Sequence, residues 1–97
     1  MSTFQVYVDE FDKDGWKEFV DYYRTEWDLL SDEDKERYKS VFGDEEIAIV
    51  TTSKMGERAV EWFSDRIGAL DQKSAQEVLK RERHGASIVK AVLMRMH

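Results

Sequence analysis

Glu46-Ile47-Ala48-Ile49-Val50-Thr51-Thr52 carries five β-branched side chains in seven positions. Such side chains lose rotamer freedom in a helix and pack well on a pleated surface, so the run reads as a strand. A companion strand is predicted over Thr3 to Asp9, where Phe4, Val6 and Val8 alternate with Gln5, Tyr7 and Asp9. Two helical segments separate these strands, so a pairing between them is not a simple hairpin, and it could form within one chain or across a homodimer. A two-stranded sheet is marginal alone and needs helices packed on one face. The predicted fold class is therefore α+β, mostly helical, with about five short helices and a small two-stranded sheet from residues 3–9 and 46–52, in a single domain over 1–97.

The helical segments have their own signals. Trp16, Phe19, Val20, Tyr23, Trp27 and Leu30 recur at spacings of three and four and give one apolar stripe on a helix of about four turns. Ser31 followed by Asp34 resembles a capping box, opening a short helix that carries Tyr38, Val41 and Phe42 and ends at Gly43. A third helix is predicted from about Gly56 to Ile67, with Gly68 at its C-terminal end. Ser74 and Glu77 form a regular capping box for a fourth helix ending near His84-Gly85. The last helix has an apolar stripe of Ile88, Val89, Val92, Leu93 and Met96.

Charge is distributed unevenly. The formal net charge is −6, yet residues 1–50 hold fifteen acids against six bases, while the remainder is net basic. Direct nucleic-acid binding through the first half is disfavoured, because phosphates would be repelled there. Attraction to a basic protein surface is favoured. The absence of cysteine excludes a disulfide framework and thiolate metal sites. No apolar run approaches the roughly 18 residues that span a bilayer, and Met1-Ser2-Thr3-Phe4 has no basic stretch leading into an apolar one. A cytoplasmic location away from membranes is expected.

Few residue patterns suggest catalysis. Glu10 to Asp21 places acids at positions 1, 3, 5, 9 and 12 of a calcium loop with Gly15 at position 6. However, its last ligand is the short Asp21, Lys17 stands where an apolar residue is usual, and a strand, not a helix, is predicted to precede it. The preferred reading is an acidic turn in which Asp14 or Asp12 caps the following helix. His84 and His97 are too few and too far from paired acids for a zinc site, and no nucleophile or phosphate-loop motif is present. The expectation is a non-enzyme without a cofactor. Tyr22 lies off the apolar stripe of its helix, which makes it an interface candidate.

The last third of the chain has an ordered series: Trp62-Phe63, Leu70-Asp71, Ser74 to Leu79, Gly85, then Val89, Leu93 and Arg95. This series resembles the toxin-binding domain of the Xre/MbcA/ParS group of bacterial antitoxins, over about forty residues. The resemblance implies binding to a toxin that degrades or modifies nicotinamide dinucleotide, with the last helix entering or covering its cleft. It assigns partner contacts to the outward residues Arg81, Arg83, Lys90, Met94, Arg95 and His97.

The expected function is thus a protein-binding inhibitor, antitoxin-like, that occludes a surface of a partner protein. An alternative uses the acidic half: Asp28, Asp32, Glu33, Asp34 and Glu36 with Asp44, Glu45 and Glu46 would act as a phage-type decoy, a nucleic-acid mimic directed at a nuclease, restriction enzyme or CRISPR effector. A second alternative is a small subunit of a larger assembly.

Overall fold

The computed structural model describes residues 5–70 and 72–95, without the side chains at 5, 6, 10 and 69. Its helices are α1 (Gln5–Glu10), α2 (Lys13–Asp28), α3 (Asp32–Phe42), α4 (Glu45–Met55), α5 (Ala59–Ser64), α6 (Ala75–Arg81) and α7 (Gly85–Arg95). Short 3-10 turns occupy Gly56–Arg58 and Gly68–Leu70. A two-stranded antiparallel sheet joins β1 (Arg66–Ile67) to β2 (Lys73–Ser74), with Arg66 opposite Ser74 and Ile67 opposite Lys73. The class is mostly helical α+β, but both strands predicted from the sequence are corrected: 46–52 is helix α4 and the described part of 3–9 belongs to α1, residues 3 and 4 lying outside the described set.

The reason for the first correction lies in burial. Ile47, Ala48, Ile49, Val50 and Thr51 are all completely buried, because α2, α3, α5 and α7 pack around α4 from different sides. A helix enclosed on every side is apolar on every side, so the 3.6-residue period that would reveal it is missing. β-branched residues cost a helix at most about 0.7 kcal/mol each by propensity. Full burial of one Ile or Val contributes about 1.5–3 kcal/mol, which outweighs that cost. Local signals agree with the helix: Asp44 Oδ1 accepts from the Ile47 N–H at 3.0 Å, and Glu45 and Glu46 lie in the first turn. The Thr51 and Thr52 hydroxyls donate back to the carbonyls of Ile47 (2.6 Å) and Ala48 (2.7 Å), so threonine enters the core with its polar atom satisfied.

In α1, the residues that pack on the core are Tyr7 and Val8, joined by Phe11 just beyond the helix. Their spacing is helical, and the alternation seen in the sequence has no pleated surface to match. The helix predicted over 56–67 is also shorter, beginning as a 3-10 turn and ending at Ser64, after which Arg66 and Ile67 pair with β2. The remaining boundaries follow the caps. Asp12 caps α2 by accepting from the Asp14 N–H, Ser31 caps α3 from Asp34, and Ser74 caps α6 from Glu77. Gly43 closes α3 with φ of 72°, a left-handed conformation that glycine adopts without strain. Gly85 has a different task. A Cβ there would collide with the Val78 carbonyl oxygen and lie 2.8 Å from Leu79 Cα, so only glycine lets α7 start against α6.

Replacing Ile49 by Ala is expected to destabilise the fold by about 2–4 kcal/mol, through lost burial and a cavity. Val60→Ala, at a position 41% exposed, should change stability by less than about 0.5 kcal/mol. Urea unfolding followed by far-UV circular dichroism measures both.

Candidate protein-binding surface

Helix α2 has two working faces. Its inner face buries Trp16, Val20 and Trp27 against α4, and an aromatic chain continues through Trp27–Tyr38, Tyr38–Phe42 and Phe42–Phe63 into α3 and α5. Its outer face carries Glu18, Asp21, Tyr22, Glu26, Asp28 and, at the C-cap, Leu29, all exposed. Tyr22 is 77% and Leu29 83% exposed, the two highest values among the exposed large hydrophobic residues. The Tyr22 ring stands edge-on to Tyr23 at 5.1 Å, and Tyr23 stands edge-on to Phe19 at 5.2 Å, so the exposed ring is braced by half-buried ones. Lys54 from α4 lies 5.0 Å from the centre of the Phe19 ring and 5.8 Å from that of Tyr23. Burial pushes its ammonium below the ordinary lysine pKa. A shallow cleft of about 320 Å³ beside Tyr22 is lined by Gly15, Glu18, Phe19 and, from α7, Met94.

The acidic residues singled out in the sequence divide into three groups. Asp28, Asp32 and Glu33 are exposed, and among the described residues no ion pair reaches them. Asp34 pairs with Arg37 at 3.5 Å. Glu36 pairs with Lys39 at 3.1 Å, a hydrogen bond that raises the lysine pKa. Asp44, Glu45 and Glu46 are committed to the fold. Asp44 caps α4, Glu45 lies 3.6 Å from Arg24 and 3.7 Å from Lys39, and Glu46 Oε1 accepts from the Trp16 indole N–H at 3.2 Å and from Lys90 at 3.3 Å. The eight acids named from the sequence thus comprise Asp28, Asp32 and Glu33 left open, Asp34 and Glu36 paired within α3, and Asp44, Glu45 and Glu46 tied at the start of α4.

The residues assigned to partner contact in the last helices are also divided. Arg81 and Arg83 are exposed at the corner between α6 and α7. Lys90 is not outward: its side chain is 15% exposed, bound to Glu46 and 4.0 Å from Asp44, and its ammonium sits 5.5 Å from the centre of the Trp16 ring. Arg95 lies over the Tyr7 ring at 4.9 Å, Met94 packs beside α2, and His97 lies outside the described residues. Most of α7 is core, with Ile88, Val89, Ala91, Val92 and Leu93 buried.

The calcium-loop spacing of Glu10 to Asp21 is taken up by the Asp12 cap and by helix α2 itself. That arrangement spreads Asp14, Glu18 and Asp21 along a helix in place of a ligand cage. Among the described residues no three His, Cys, Asp or Glu side chains gather as a metal site. No family model, no curated protein and no solved structure matches this chain. Leu29 is the residue of this surface that sequence reasoning missed: it looks like a neighbour of the apolar stripe, and its place seven residues after Tyr22 was the available signal.

Glu46→Ala is expected to cost about 1–2 kcal/mol, because it removes the acceptor for both the buried Trp16 indole and Lys90. Asp28→Ala should leave stability within about 0.5 kcal/mol of the parent. Chemical unfolding monitored by tryptophan fluorescence distinguishes the two.

Proposed function

We propose that the chain is a non-enzymatic protein-binding inhibitor whose open acidic surface on α2 and α3 occupies the basic groove of a nucleic-acid-processing protein. A nuclease, restriction enzyme or CRISPR effector has such a groove. The observation that carries this reading is the set Asp28, Asp32 and Glu33, exposed and reached by no ion pair among the described residues, on a chain of net charge −6. Carboxylates held on rigid helices present negative charge to lysines and arginines much as phosphates do, and long-range attraction speeds the encounter. In the antitoxin-like reading, contact would fall to Arg81 and Arg83 at the α6–α7 corner and to the exposed Arg95, which lies over the Tyr7 ring, since Lys90 and Met94 already pack against α2 and the start of α4. Arg81 and Arg83 are as open as the acids, and the acidic reading is preferred because a chain of net charge −6 favours a basic partner.

Capture from bacterial lysate on the immobilised chain, followed by assay of the captured enzyme's nuclease activity, tests the proposal. The expected result is an inhibited nucleic-acid-processing enzyme that washes off toward 1 M salt, where the screening length falls to about 3 Å. The triple variant Asp32→Lys, Glu33→Lys, Glu36→Lys should fail to capture it. Capture that survives both high salt and the triple variant overturns the acidic reading.

A further inference from the structure

We propose that the outer face of α2 is a two-point docking helix, with Tyr22 and Leu29 as its apolar anchors, for a protein partner that offers an apolar groove bordered by lysine or arginine. This deepens the function proposed above and rests on it. Seven residues is nearly two full helical turns, so Tyr22 and Leu29 point within about 20° of each other and stand about 10 Å apart along the axis. They lie on the side of α2 away from the buried Trp16 and Trp27, and both stay largely exposed among the described residues, with Met94 of α7 alone reaching the cleft beside Tyr22. The spacing is that of a helix laid into a groove, where side chains one heptad apart enter successive pockets.

Charge complementarity selects the occupant. Glu18, Asp21, Glu26 and Asp28 frame the two anchors, and the α2 residues on this face include one cation, Lys17. A second copy of the same face would place acids against acids, and a nucleic acid would be repelled. A groove rimmed with cations satisfies the frame while its floor takes the anchors. The cleft between Tyr22 and Met94 adds a place where one partner side chain enters. Tyrosine suits the exposed anchor because it offers a large rigid area at little entropic cost.

The test uses the intact chain labelled with 15N and two synthetic amphipathic helices. Both have leucine at the first and fourth heptad positions; one has lysine at the flanking positions, the other glutamate. The expected result is that the lysine-flanked helix shifts amide signals over residues 18–33, that the glutamate-flanked helix does not, and that the double variant Tyr22→Ala, Leu29→Ala binds at least tenfold more weakly. Both anchors are exposed, so the double variant should keep the parent's unfolding midpoint and its own spectrum. Equal binding by the double variant, with binding still lost in Asp32→Lys, Glu33→Lys, Glu36→Lys, overturns the docking helix and leaves the acidic reading standing. Equal binding of both helices, or of neither, overturns the docking helix for a basic partner, while the acidic reading stands or falls with the salt-sensitive capture.

Discussion

The enclosure of α4 is the constraint on which the rest depends. Five consecutive residues, Ile47 to Thr51, lose all contact with solvent, and no single neighbour can cover five consecutive positions of a helix. Coverage therefore needs α2, α3, α5 and α7 at once, drawn from both halves of the chain. A buried helix also has nowhere to send its polar side chains. Thr51 and Thr52 solve this by bonding to their own preceding turn, and among the described residues no buried side-chain nitrogen or oxygen is left without a partner.

That arrangement decides which charges remain available. The start of α4 must be capped and neutralised where it meets α2 and α7, and Asp44 and Glu46 serve there with Lys90 and the Trp16 indole. These groups stabilise the junction and are held by its contacts. Asp28, Asp32 and Glu33, on the outer turns of α2 and α3, have no such task, and they keep their charge for solvent or a partner. The same packing turns the Trp16 side of α2 inward and leaves Tyr22 and Leu29 largely exposed.

The sequence determined those features that depend on neighbours along the chain. The caps at Ser31 and Ser74, the glycine stop at Gly43, the stripe of α2 and the exposure of Tyr22 could all be read from spacing, and the cap of α2 was narrowed to Asp14 or Asp12, because a capping side chain or a 3.6-residue stripe acts within a few residues. The acidic surface was legible as a list of positions, not as contacts. Its division into open and committed groups, like the inward placement of Lys90, depends on contacts between residues as distant as Glu46 and Lys90.

Tertiary structure alone decided that 46–52 is a helix and that the small sheet forms at Arg66–Ile67 and Lys73–Ser74. The physical reason is that a segment buried on all sides carries no period. Its β-branched side chains then argue for a strand by propensities worth tenths of a kcal/mol each, while burial worth several kcal/mol is settled by what packs around it.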